Sequence, residues 1–126
     1  MRVGRSRTDP TVSGFIFVSR RRTERPMPTV YITAPPESAT ELAEMLVDER
    51  LAACVNRLST TSTYRWDGDV HRDEEAILLA KTTDDASDEL VARVRAEHPY
   101  DVPCIECFDE IDVLESFAAW RAESVE

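Results

Sequence analysis

Lysine is almost absent: Lys81 is the only one in 126 residues. Glycine is nearly as scarce, and of the three in the chain only Gly68 lies beyond residue 26. Phosphate cradles are built from glycine-rich turns and helix N-termini free of acid. Neither feature is present, so nucleotide phosphates and other anions are poor ligands. No apolar run approaches the roughly 20 residues that cross a bilayer. Phe15-Ile16-Phe17-Val18 is too short for the apolar part of a cleaved leader, and arginines follow it. The cysteine count is odd (54, 104 and 107), which suits free thiols in a reducing cytosol. No nucleophile–base–acid order can be assembled, so the chain does not read as an enzyme.

Acid is plentiful. Residues 1–26 hold seven arginines against Asp9 and Glu24, a net +5. Residues 27–126 hold 8 basic and 23 acidic groups, a net −15, which gives the whole-chain −10. The first segment reads as a basic, disordered extension or a leader upstream of a natural start at Met27. The second reads as one domain. Such an acidic body repels nucleic acid and anionic membrane and attracts cations. Near-absent lysine with abundant aspartate also suits a salt-rich cytosol.

From Met27 onward the pattern is regular. Thr29–Ala34 is a β-rich strand closed by Pro35-Pro36. Ser38 with Glu41 forms a capping box, opening a helix over about 38–52. Its apolar stripe is Ala39, Leu42, Ala43, Leu46, Val47 and Leu51. A second helix follows Thr83, with Asp84, Asp85 and Asp88 at its positive end and Ala86, Leu90, Val91 and Val94 buried. His98-Pro99 stops it. Val102–Phe108 is a further strand. Ile111–Val113 extends it or forms a short extra one. Leu114, Phe117, Ala118 and Trp120 suggest a C-terminal helix.

Between the two long helices lies the stretch that organises the chain, Ala53–Thr82. Asp67-Gly68 is a strong hairpin signal. A two-residue turn there sets Trp66 opposite Asp69, Tyr64 opposite His71, Leu58 opposite Ile77 and Cys54 opposite Lys81. Ala76–Ala80 is an unbroken apolar run, as in a strand covered on both faces. The arms, about a dozen residues each, exceed the usual 5–6, which predicts a bulge. The order βαββαβ predicts an α+β, ferredoxin-like sandwich with a long hairpin and a C-terminal helix. Its second sheet face has no helix to cover it, which predicts self-association.

Four segments carry a resemblance: Glu49–Asn56, Tyr64–Gly68, Leu78–Thr82 and His98–Pro103. With these, residues 28–126 resemble a CutA-type divalent-cation tolerance protein. The resemblance implies a PII-like homotrimer linked to tolerance of copper or another divalent cation. Where some relatives carry a first-strand cysteine and a second histidine before His-Pro-Tyr, this chain has Ile32 and Glu97. Cys104 stands where the family often has glutamate.

Two candidate sites follow. The metal set is His98 with Glu97 and Cys54. His98 ends a helix, where the dipole attracts cations, Glu97 adds a hard oxygen, and the resemblance places metal binding at this segment. The ligand set is Tyr64, Trp66, Lys81 and Tyr100; a strict register puts Trp66, Tyr64 and His71 on one hairpin face with Lys81 farther down it, and the set either fills a subunit interface or lines a small cleft between subunits. Cys104 and Cys107, three apart on a strand, point to opposite faces and form no chelate. The functional expectation is a trimeric, non-catalytic, cytoplasmic protein that binds divalent cations weakly. The alternative is a PII-like small-molecule sensor.

Overall fold

The computed structural model describes residues 27–126. The expected basic extension lies outside the described residues. In chain order the elements are β1 (Pro28–Ala34), α1 (Pro36–Asp48), β2 (Cys54–Trp66), β3 (Asp69–Lys81), α2 (Asp84–Glu97), β4 (Ile105–Asp109) and α3 (Glu115–Ser124). The strands make one antiparallel sheet in the order β2-β3-β1-β4. This is the expected ferredoxin-like α+β order, with α3 appended. Ile111–Val113 adds no strand.

The hairpin turns where Asp67 and Gly68 both take positive φ, 54° and 83°. That is the primed turn whose twist matches the flanking strands. From it the register runs unbroken, Trp66 opposite Asp69 through to Cys54 opposite Lys81. The expected bulge does not occur. A bulge re-aims a strand against what it packs on. Among the described residues, the outer half of this hairpin is exposed and rests on no other element, so none of them imposes one.

Helix α1 starts earlier than its capping box suggested. Pro36 takes the first helical position, where its missing N–H costs nothing, and Ser38 makes no cap hydrogen bond. The helix also ends earlier. Arg50 adopts φ 60°, its N–H donates to the Val47 carbonyl, and the Leu51 N–H reaches back to Leu46. This left-handed reversal satisfies the last carbonyls. Leu51 is therefore buried by folding back over the helix end, and Val47 is exposed.

Helices α1 and α2 cover one face of the sheet. Val30, Ile32 and Ala34 of β1 and Ala76, Leu78 and Ala80 of β3 point into that layer. They meet Ala39, Leu42, Leu46, Leu90 and Val94. The other face carries Tyr31, Ile77, Leu79 and Phe108, from neither fully buried to half-exposed. Helix α3 lies at the end of the sheet, and it is held by a charge. Arg121, 1% exposed, pairs with Glu110 at 2.9 Å and donates to the carbonyls of Pro28 and Thr82. The Phe117 ring sits 5.2 Å from its guanidinium. Leu114 and Trp120, part of the apolar pattern that suggests this helix, are exposed.

Candidate functional site

The uncovered sheet face holds a cleft of about 700 Å³ between the outer hairpin and the segment leading into β4. Strand alternation places Ser62, Tyr64 and Trp66 of β2 on this face, directly opposite Asp73, His71 and Asp69 of β3. Glu75 shares it, two residues from Asp73. The segment after α2 brings Tyr100, Asp101 and Cys104 to the opposite wall, and Tyr31, Glu106 and Phe108 form the floor.

Glu75 is the buried charge of the cleft, 7% exposed. Ser62 Oγ donates to its Oε1 at 2.7 Å and the Tyr100 hydroxyl to its Oε2 at 3.0 Å. Tyr64 donates to Asp73 and stacks on His71 at 5.5 Å between ring centres. Burial, and then the hydrogen bond to Glu75, push the Tyr100 phenol up to about 12. The hydrogen bond to Asp73 raises that of Tyr64. Burial raises the Cys104 thiol, with Glu106 adding to the effect.

Tyr64, Trp66 and Tyr100 line one cleft. Lys81 does not join them. It lies six residues beyond Glu75 along β3, about 20 Å at strand rise, and donates to Asn56 Oδ1 at 3.0 Å.

The metal set is dispersed. His98 is buried, with Nε2 2.8 Å from the Thr33 carbonyl oxygen and Nδ1 accepting the Tyr100 N–H at 3.1 Å. The carbonyl can only accept, so Nε2 carries the hydrogen. Both ring nitrogens are thus engaged in holding the segment after α2 against β1. Glu97 accepts from Arg93 at 2.7 Å. Cys54 pairs with Lys81, which lies opposite Thr29, whereas His98 sits by Thr33. Four strand residues and two strand spacings put them on the order of 15 Å apart in one chain. Among the described residues no three His, Cys, Asp or Glu side chains converge as a metal cage.

Glu75 was missed by sequence reasoning. It follows Asp73-Glu74 and reads as one more surface acid of a charged arm. Only its alternation with Ala76 across the two faces, and a hydroxyl opposite the next pair, hint otherwise.

A ferredoxin-like α+β domain with an overlong hairpin and an acidic, aromatic cleft on its uncovered face is the class that fold and site define. The chain belongs to the family of the CutA1 divalent ion tolerance protein, whose sequence pattern matches residues 28–124. It is 45% identical over 97 residues to the divalent-cation tolerance protein CutA of Thermus thermophilus, spanning 75% of this chain and 94% of that one. The CutA of Pyrococcus horikoshii is 40% identical over 95 residues, spanning 75% and 93%. The solved structure of CutA from Synechococcus elongatus superposes with a TM-score of 0.80 at 28% identity, covering 87% of this chain and 98% of that one. Among the described residues no helix is long and apolar enough to cross a membrane.

Proposed function

We propose that this chain is a non-catalytic, homotrimeric divalent-cation tolerance protein that binds copper or another divalent cation weakly in the cytoplasm. Membership of the family supports the cation role. One observation carries the assembly: Leu58 and Trp66 of the hairpin and Phe108 of β4, which share the open sheet face, are each about half exposed. A closed ring of copies covers such a face and leaves no free sheet edge. Three free thiols support a reducing compartment.

The ion is taken at the Glu97–His98 segment. Copper(II) accepts imidazole and carboxylate and heads the divalent affinity order. Loading there exchanges the Tyr100 N–H on His98 Nδ1, and the Arg93 contact of Glu97, for the ion. That exchange makes the affinity modest. Cys54 takes no part within one chain at its distance from His98. Light scattering in molar salt is expected to give three chain masses; a monomer overturns the assembly. Copper calorimetry is expected to lose heat in His98→Ala but not in His71→Ala. Equal binding in both and in the parent moves the ion to the general acidic surface.

A second reading, small-molecule sensing in a PII-like trimer, is favoured by the cleft itself, whose size falls in the range of ligand sites.

A further inference from the structure

We infer that the segment Phe15 to Arg22, ahead of the domain, docks on the outer side of α1. Its apolar half takes the groove beside β2, and its arginines take the carboxylates along the rim.

The groove, about 470 Å³, is lined by Ala43, Glu44, Val47 and Asp48 of α1 and by Val55 of β2. It lies on the helix-covered side of the sheet, because Val55 pairs with Ala80, which points into the core. Its floor is apolar, yet Val47 is 42% exposed.

The rim is acid. Glu37, Glu41, Glu44 and Asp48 recur three or four residues apart and are all exposed, so they form one ridge along the helix. That ridge is turned away from Ala39, Leu42 and Leu46, which enter the core. A ring of copies closed through the open sheet face therefore leaves it in solvent. Among the described residues, ion pairs are made by Arg50, Arg93 and Arg121, and none involves the ridge. Arg57, beside the start of the helix, is held by Thr40 and the Pro36 carbonyl. Like charges four apart destabilise a helix. Asp48 also stands in a last turn that has no basic residue, where the dipole favours cations. Both effects leave α1 short of positive charge.

The chain carries a segment that matches groove and rim together. Phe15-Ile16-Phe17-Val18 is followed, after Ser19, by Arg20-Arg21-Arg22. Arginine stems cover apolar surface while their guanidinium groups fork onto carboxylates.

The reach is sufficient. The segment joins the domain at Met27, which is buried and whose carbonyl accepts the Glu110 N–H. Val30 and Val55 both pair with Ala80, so they lie two strand spacings apart, about 10 Å. Cys54 and Thr29 are likewise both opposite Lys81. Helix α1 stops at Asp48, just before Cys54, so it finishes at the end of the sheet where the segment enters. The stretch from Val18 to Met27 spans up to about 30 Å, enough to lie back over α1. Nucleic acid or an anionic membrane would have to approach a body of net −15 to compete for the arginines. The segment is thus a built-in counter-ion of α1, and salt releases it.

The test uses the full chain with Arg21→Lys, which keeps the charge and introduces an amine. Lys81 is the only native lysine and, held by Asn56, serves as the internal control. A carbodiimide joins an amine to a carboxylate in contact with it, and mass spectrometry locates the amide. Cross-links from position 21 to Glu41, Glu44 or Asp48 are expected at 0.01 M salt, with their loss at 1 M, where the Debye length falls to about 3 Å. Phe15→Ser with Phe17→Ser is expected to lower the yield at low salt; an unchanged yield overturns the groove as the seat of the apolar half. Thermal unfolding at 0.01 M salt gives a readout that needs no cross-link. Changing Arg20, Arg21 and Arg22 together to Gln is expected to lower Tm by about 4–8 °C. The same change at Arg2, Arg5 and Arg7 removes equal charge and is expected to do clearly less. Equal drops overturn the docking and leave a general charge effect. Cross-links absent at low salt, or scattered over acids on both sides of the domain, overturn it as well. If they are absent and Val47→Arg breaks the assembly seen by light scattering, the groove belongs to a second copy instead.

Discussion

Leu78 and Leu79 are neighbours on β3, yet they belong to two different proteins in energetic terms. Leu78 is fully buried under α1 and α2; Leu79 is only partly buried on the open face. Ala76–Ala80 is apolar on both sides because the strand has two faces to cover, and one chain covers one of them. The helix-covered face is finished by local sequence: each helix carries its own stripe and closes over the strands it follows. Among the described residues, no element beyond the sheet itself and the Tyr100 segment meets the rings and carboxylates of the open face. Its chemistry is therefore available for a partner or a ligand.

The largest expected effect is on the finished face. Leu78→Ala should cost about 4 kcal/mol, toward the upper end for buried leucine because its surroundings are well filled. Urea unfolding should show this loss equally at low and high protein concentration. Leu79→Ala should cost far less at low concentration. If a second copy covers the open face, its cost should grow with concentration, since mass action then contributes to stability. A concentration-independent loss equal to that of Leu78→Ala would erase the distinction between the faces.

Next in size is the clip at the end of the sheet. Arg121→Ala takes the counter-charge from Glu110, which among the described residues keeps only the Thr29 hydroxyl as a side-chain donor, and the guanidinium from the carbonyls of Pro28 and Thr82. Breaking a buried pair costs about 3–5 kcal/mol, and about 3 is expected here because Glu110 keeps some contact with water. Glu110→Gln added to Arg121→Ala should recover part of the loss, since the uncompensated charge is then gone. No recovery would mean that packing of Phe117 on the guanidinium, and not the charge, holds α3.

How much of this was legible follows from what each residue's signal averages over. The hairpin register was readable pair by pair, because Asp67-Gly68 fixes the turn and the turn fixes everything beyond it. The strand order was readable because the helices interrupt the strands at the spacing of a split βαβ unit. The bulge expectation came from typical strand lengths, which describe strands lying on a core; the outer arms lie on none. Arg121 was invisible, since a helical arginine looks like surface charge and its carbonyl partners come from Pro28 and Thr82, far away in sequence. His98 was read as an available ligand. Its burial depends on the Thr33 carbonyl and on the chain turning back at Tyr100, and neither leaves a pattern in the sequence. Glu75 was hidden among neighbouring acids for the same reason.

A smaller, global effect separates the exterior from both faces. Residues 27–126 carry a net −15. The Debye length falls from about 30 Å at 0.01 M salt to about 3 Å at 1 M, so repulsion among distant carboxylates fades between those limits. Each kcal/mol recovered should raise Tm by about 4–8 °C. Arg93 with Glu49 and Glu97 is an exposed cluster at 2.7–2.8 Å whose small contribution salt should weaken. A net rise in Tm therefore means that repulsion outweighs such pairs; a flat profile would mean that assembly masks it.

The smallest expected effect reads the open face through one proton. Burial, and then the hydrogen bond to Glu75, raise the Tyr100 phenol to about 12, against about 10 for a free tyrosine. The folded state thus holds this proton over a window in which the unfolded state has lost it. Stability from this source is fully present below about pH 10 and is lost as pH rises toward 12. Tyr100→Phe should flatten that decline, and its difference spectrum against the parent isolates the Tyr100 phenolate from the other tyrosines. Glu75→Gln should lower the midpoint, because the charged acceptor that favours the phenol is gone, but not all the way to the free value, because burial is the larger cause. A midpoint unmoved by Glu75→Gln would show that the carboxylate does not hold the Tyr100 hydroxyl in solution. The acid at the base of the cleft would then face it without that donor, and the two faces of the sheet would differ in packing alone.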